Sequence, residues 1–208
     1  MARKTKEEAQ KTRQFILDSA LRLFCQQGIA ETSLTDIASE AGVTRGAIYW
    51  HFKNKHELLL TLWDELCKPL EYLMDASIDE NEPDPLGKLQ TFLTKILQNI
   101  ATNPAQRQMF SILFTPDSEH NDIIELRQHS REQYQKFSDE LQKALTNAIQ
   151  KKQLSEKFDA QLGAKLLCAT MNGNALRLIR TGDDFPLETL AEPVVNLLFK
   201  MMENYKPE

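Results

Sequence analysis

Apolar residues recur three and four positions apart along nearly the whole chain, and no stretch alternates in the every-second pattern of a half-buried strand. That spacing predicts an all-α fold of about nine helices. The first runs from about Glu8 to Gln27, carries Ile16, Ala20, Leu23 and Phe24 on one face, and stops at Gly28. Ser33 caps a short second helix with Leu34, Ile37, Ala38 and Ala41, which ends at Gly42. Thr44 caps a third, to about His51, with Ile48 and Phe52 on one side. Asn54 opens the fourth, with Glu57 three residues on as in a capping box. Leu58, Leu59, Leu62, Trp63, Leu66, Leu70 and Leu73 follow, with Pro69 as a kink or stop.

Residues 75–85 read as an acidic surface loop. Asp84-Pro85 and Asn103-Pro104 are cap-plus-proline starts for a fifth helix (Leu86, Leu89, Leu93, Ile96, Ile100) and a sixth (Met109, Phe110, Leu113, Phe114). Pro116 breaks the chain. A long seventh helix runs from about His120 to Lys152 with Tyr134, Phe137, Leu141, Leu145 and Ala148 as its stripe. The eighth spans about Asp159 to Thr181 and the ninth about Leu187 to Tyr205.

Residues 33–52 combine two short helices and a turn at Gly42 into a helix-turn-helix. Small Ala38 allows close approach, and Ile48 fills the gap between the helices. The outward face of the second helix carries Thr44, Arg45, Tyr49 and His51, all able to donate to phosphates or base edges. Lys53 and Lys55 add positive charge just beyond. A generic helical hairpin shares the apolar pattern but needs no polar donors and aromatics facing outward.

Charge agrees with this division. The net charge is -5, yet residues 1–56 hold nine Lys/Arg against six Asp/Glu, leaving sixteen against twenty-four for the rest. A basic head on an acidic body suits a protein that presents one end to phosphates. Hydrophobic residues at 41% and charged residues at 26% fit a globular chain. No apolar run is long enough to span a membrane, and the opening lacks a signal peptide, so a cytoplasmic protein is expected. Cys25, Cys67 and Cys168 follow no metal or redox spacing and read as reduced thiols. Glu125 and His129 lie four apart on a helix, but two ligands do not make a metal site. No nucleophile–base set or phosphate-cradling glycine loop is present, which argues against an enzyme, and no cofactor is expected.

The motif Thr32-Ser33-Leu34, Ile37-Ala38 and Ala41 through Lys55 (Ala-Gly-Val-Thr-Arg-Gly-Ala-Ile-Tyr-Trp-His-Phe-Lys-Asn-Lys) closely resembles the TetR family signature. Ala2-Arg3-Lys4-Thr5-Lys6 with Thr12-Arg13 resembles the AcrR-type branch, whose members repress multidrug efflux operons. The likeness is dense over residues 1–63; beyond it, Ile112-Leu113-Phe114 and the helix pattern are similar to that branch. Thr115-Pro116-Asp117-Ser118-Glu119 stands where members often have Lys-Cys-Glu, a departure that bears on the ligand rather than on DNA binding. The resemblance implies that Thr32 and Ser33 meet phosphate at the second helix's start and that Arg45 reaches a base edge. Thr44, Gly46, Tyr49, Trp50 and His51 would line backbone and groove wall, and Lys55 would clamp a further phosphate.

The same resemblance implies a helical ligand domain that dimerises through its last two helices. Leu162, Leu166, Ala169, Gly173 and Leu176 form one seam; Leu190, Val194, Leu197 and Met201 form another, beside Ala191, Val195, Leu198 and Met202. Trp63, Cys67, Leu93, Leu97, Phe110, Phe114, Tyr134, Phe137 and Met171 are candidates for an apolar cavity, with Gln135 and Asn172 as polar handles. The expectation is a helix-turn-helix domain over 1–56 and a ligand-binding and dimerisation domain over 57–208. Together they would form a homodimeric repressor that binds a pseudo-palindromic double-stranded operator and is released by a small hydrophobic inducer. A metabolic or lipid-responsive operon is the alternative target. An all-helical small-molecule carrier without DNA activity is the alternative class.

Overall fold

The computed structural model describes residues 6–67, 71–114, 121–181 and 185–205, and among these the regular structure is helical throughout. Ten helices follow in order: α1 (Lys6–Gln27), α2 (Leu34–Glu40), α3 (Arg45–His51), α4 (Lys55–Cys67), α5 (Glu71–Ile78), α6 (Pro85–Thr102), α7 (Pro104–Phe114), α8 (Asn121–Gln150), α9 (Ala160–Thr181) and α10 (Leu187–Glu203). The tenth helix arises where one long fourth helix was expected: α4 ends at Cys67 and α5 begins at Glu71, while Pro69 lies outside the described residues. The acidic loop is likewise shorter than 75–85, because Leu73, Met74 and Ser77 turn inward and carry the helix to Ile78. Pro116 and the Thr115–Glu119 segment also lie outside the described residues.

The chain forms two compact units, Met1–Leu66 with Thr115–His129, and Cys67–Phe114 with Ser130–Glu208. A boundary at 56/57 would cut α4 after its second residue, whereas the first unit keeps that helix through Leu66. In the first unit Ile16, Leu17, Ala20 and Phe24 of α1 are buried, as are Ile37, Ala38, Ile48, Phe52, Leu58 and Leu59. In the second unit α6 packs against α5, α7, α9 and α10, and its buried Leu86, Leu89, Phe92, Leu93, Leu97 and Ile100 share a core with Leu141, Leu145, Leu167 and Phe199. The α8 stripe holds from Phe137 onward, but Tyr134 is 42% exposed.

Capping explains where α6 begins. Asp84 accepts from the Gly87 N–H at 2.9 Å and also from the Gln153 amide at 2.6 Å, while Gln153 Oε1 accepts from the Leu86 N–H at 3.2 Å. One carboxylate therefore satisfies a helix terminus and ties it to the turn after α8. Asp84→Ala should lower stability by about 1 kcal/mol, read as a thermal midpoint lower by roughly 2–4 °C. Asp84→Asn, which keeps the acceptor, should retain most of the midpoint; equal losses in both variants would assign the effect to charge instead.

Candidate nucleic-acid interface

The helix-turn-helix is assembled from two left-handed turns and two side-chain caps. Gly28 (φ +87°) ends α1 and Gly42 (φ +64°) turns the chain out of α2, conformations that a side chain disfavours. At the start of α2 the Ser33 hydroxyl accepts from the Asp36 N–H at 3.2 Å, and Asp36 accepts from the Ser33 N–H at 2.9 Å. The Ser33 hydroxyl and backbone N–H, in that order, hold the exposed Asp36 carboxyl below the usual carboxylate range. A depressed pKa contributes stability above the ordinary value of 3.8, and that contribution disappears as pH falls through the lowered one. The Asp36 carboxylate also disfavours an anion at the Ser33 position.

Thr44 caps α3 through the Ala47 N–H at 3.2 Å. Ile48 and Phe52 face the core, so the opposite side of α3 is turned to solvent with Arg45, Gly46, Tyr49 and Trp50 all exposed. Trp50 is 73% exposed and Tyr49 47%, an uncommon degree for such large rings. Arg45 donates from Nη2 to the Tyr49 hydroxyl at 3.0 Å and lies 5.5 Å from its ring centroid, so the ring braces the guanidinium. His51 is half-buried and stands edge-on to Trp50 at 4.6 Å between centroids. Gly46 meets nothing closer than Thr44 Oγ1 at 3.9 Å, leaving an open notch in the exposed face.

Two residues expected at phosphate sit elsewhere. Thr32 is fully buried; its hydroxyl donates to the Gly28 carbonyl at 2.6 Å and accepts from Gln27 at 3.2 Å. Lys55 places its ammonium on the carbonyls of Ile29 at 2.9 Å and Thr32 at 3.2 Å. Both side chains serve the α1–α2 turn. The reason is positional: carbonyls freed by the turn at Gly28 must find donors, and Lys55 is the cation within reach. Lys53 remains exposed, with its backbone N–H on Glu57 at 2.7 Å, while Asn54 Oδ1 accepts from the Glu57 N–H at 2.7 Å. The reciprocal cap is thus one residue wider than the box expected at Asn54.

The candidate ligand residues divide between the units. Trp63 is buried in the first. In the second, Leu93, Leu97 and Met171 are buried and Phe110 and Phe137 half-buried, with Phe137 6.1 Å from Phe92 between ring centroids. The side chains of Cys67 and Phe114 lie outside the described residues. Gln135 is exposed and donates to Asp139 at 2.9 Å, so it faces away from the core. Helical phase decides this, since Gln135 follows the exposed Tyr134 rather than sharing the Phe137 side. Tyr134 lies near Cys168 and Asn172, and Ser138 also lies near Cys168. Burial raises both the Tyr134 and the Cys168 pKa, leaving this group uncharged. Cys168, read from the sequence only as a reduced thiol, and Ser138 are not among the candidate cavity residues, because neither stands out from the helical period. His129 pairs with Asp64 at 3.4 Å, and the side chain of Glu125 lies outside the described residues. Among the described residues, no group of three or more His, Cys, Asp or Glu is placed to hold a metal, and no helix is long and apolar enough to cross a membrane.

On the last two helices, Leu162, Leu166, Leu197 and Met201 are exposed, and Leu162 and Leu197 reach 58% and 62%. Ala169 and Gly173 are exposed beside them, and Leu176, Leu190 and Val194 are half-buried. The opposite faces, with Leu167, Met171, Ala191, Val195 and Phe199, are buried.

Residues 16–62 match the bacterial regulatory proteins of the tetR family, and residues 84–204 match the C-terminal region of MAATS-type transcriptional repressors. The HTH-type transcriptional regulator TtgR of Pseudomonas putida is 38% identical over 187 residues, 90% of this chain and 89% of that one. The crystal structure of NalD, the secondary repressor of the MexAB-OprM multidrug efflux pump in Pseudomonas aeruginosa, aligns with a TM-score of 0.78 at 27% identity, covering 93% of this chain and 96% of NalD. SmeT, the repressor of the Stenotrophomonas maltophilia multidrug efflux pump SmeDEF, aligns with a TM-score of 0.78 at 25% identity over 96% of this chain and 98% of its own. SmeT has also been solved as a triclosan complex, which aligns at 26% identity with a TM-score of 0.78 over 90% of each chain. With its helix-turn-helix and its helical body both matched, the chain belongs to the TetR family of bacterial regulatory proteins, as a transcriptional repressor of the MAATS type.

Proposed function

We propose that this protein is a homodimeric repressor of a multidrug efflux operon, released from its operator when a small hydrophobic molecule occupies the second unit. The observation that carries the reading is the end-to-end likeness to NalD and SmeT, both named as efflux-pump repressors. The exposed face of α3 is the part that meets DNA. Arg45 is the base-reading residue, since a planar guanidinium can donate twice to one guanine edge. Tyr49, Trp50 and Thr44 border it and contact backbone. Lys55 and Thr32 support the interface from behind rather than touching phosphate.

The exposed seams of α9 and α10 support dimerisation. Leu162, Leu166, Leu197 and Met201 are exposed large apolar side chains beside the small Ala169 and Gly173, a surface that a partner would cover. A two-fold dimer would bury it and present two copies of α3. Apolar side chains with an uncharged Tyr134–Cys168–Asn172 group suit neutral, hydrophobic inducers. The first experiment is a gel shift of DNA from upstream of the protein's own gene, with and without triclosan. A specific complex that triclosan dissolves is expected. Absence of any sequence-specific complex would overturn the repressor reading, and a complex indifferent to triclosan would exclude that compound as inducer.

Arg45→Ala should weaken operator binding by roughly 1–3 kcal/mol and blur discrimination at one base pair per half-site. Lys55→Met should instead weaken binding on all sequences alike and lower the thermal midpoint, because the Thr32 carbonyl loses the Lys55 donor and the Ile29 carbonyl keeps only the Thr32 N–H. Its salt dependence should stay near wild type, whereas loss of a phosphate contact would flatten the log–log slope by about one unit. A flattened slope with an unchanged midpoint would return Lys55 to the phosphate backbone.

Leu197→Asp should leave the protomer folded, since the side chain is 62% exposed, yet disfavour the dimer by placing an unpaired charge in the seam. Sedimentation should show a monomer where the wild type is a dimer. Operator binding should fall with it, because two half-sites about 34–36 Å apart can no longer be held by one particle. An intact dimer in this variant would move the interface elsewhere.

A further inference from the structure

Arg13 of α1 makes two contacts that lead to different helices. Its Nη1 meets Glu65 Oε1 on α4 at 2.5 Å, and the same guanidinium lies 5.3 Å from the centroid of the Phe52 ring. Phe52 is the residue that closes α3, its N–H donating to the Ile48 carbonyl at 2.8 Å, and its ring is buried. One planar cation therefore rests on the end of the recognition helix and grips the far half of α4. The side chains of Arg13 and Glu65 are 31% and 28% exposed, so solvent screens this pair less than it would an open one. Arginine suits the double contact, because one guanidinium nitrogen reaches the carboxylate while the same cation lies over the ring.

The preceding residue of α4 is engaged differently. Asp64 pairs with His129 Nε2 at 3.4 Å, and His129 belongs to α8. Successive residues point about 100° apart around a helix, so Asp64 and Glu65 face different neighbours. α4 and α8 are also the helices whose chain runs from the first unit into the second, beyond Leu66 and beyond His129. A shift of α4 along or about its axis must therefore move Glu65, and through Arg13 it bears on Phe52 and α3.

We infer that Arg13 is a positioning residue that couples the seat of the recognition helix to the position of α4. This rests on the DNA-reading role of α3 argued above. The test uses the full chain in four forms, wild type, Arg13→Met, Glu65→Gln and the double variant, with Arg13→Lys as a fifth. Amide hydrogen exchange of α3 is followed beside affinity for the upstream DNA fragment. Each single change should speed α3 exchange and weaken DNA binding about tenfold, and the double variant should be little worse than either, as for one shared interaction. Exchange in α6 should be unaltered. Arg13→Lys, which keeps the charge but not the flat stack, should fall between. Independent, additive effects of the two single changes would overturn the proposal, as would wild-type α3 exchange in both. Should Arg13→Met fail to fold by circular dichroism, Glu65→Gln, Arg13→Lys and their combination close the same cycle. A chain that binds no DNA yet shows the non-additive exchange would retire the repressor reading and leave this coupling in place.

Discussion

A helix of seven residues cannot hold itself together in water, and α3 is one. Everything the exposed face of α3 can do depends on what its other face buries. Ile48 is fully buried and Phe52 nearly so, packed in a unit whose core also takes Ile16, Leu17, Ala20 and Phe24 from α1 and Ile37 and Ala38 from α2. Burial of the larger of these side chains, each contributing about 1.5–3 kcal/mol, outweighs what so short a helix lacks in cooperativity. It also leaves the outward residues without duties in the core. Arg45, Tyr49 and Trp50 stand outside the buried core, so their chemistry is set largely by what they meet outside.

The polar contacts around this core are of a second kind. They close backbone groups that the turns leave open. Thr32 answers the Gly28 carbonyl, Lys55 answers Ile29 and Thr32, and Ser33 with Asp36 closes the start of α2. Such contacts are worth more by their absence than by their presence, since a buried carbonyl without a donor forfeits its hydration. For this reason a basic residue beside a helix-turn-helix is not automatically a phosphate ligand. Lys55 is cationic, close to the interface, and already engaged.

This distinction marks how far the fold and the site were legible in the sequence. Helical period and caps placed all the helices outside the Pro69 region and put Ser33, Thr44 and Asp84 at helix starts, because those signals are local. Seams at Leu162–Leu166 and Leu197–Met201 were also readable as apolar stripes, although period alone did not say which side of each helix the core would take. What escaped was long-range. Thr32 and Lys55 lie twenty-three positions apart, Arg13 and Glu65 fifty-two, and nothing in either neighbourhood announces the other. Gln135 was misplaced for a smaller reason: a one-residue change of phase on a long helix moves a side chain from core to solvent.

The division into two units sets an energetic condition on any signal between them. To loosen an operator complex a thousandfold, an inducer must favour the non-binding arrangement by about 4 kcal/mol. Apolar contacts alone transmit such a bias poorly if they slide, because dispersion between side chains is weak per atom pair and tolerant of small shifts. Directional contacts are less tolerant, since a charge-assisted hydrogen bond weakens steeply with misalignment. The first unit has two directional contacts on adjacent residues of α4, that of Asp64 with His129 of α8 and the ion pair of Glu65 with Arg13 of α1, each just past the buried Leu58, Leu59, Leu62 and Trp63. An apolar base that permits small movements, followed by paired polar contacts that register them, lets one helix be both stably packed and sensitive to displacement.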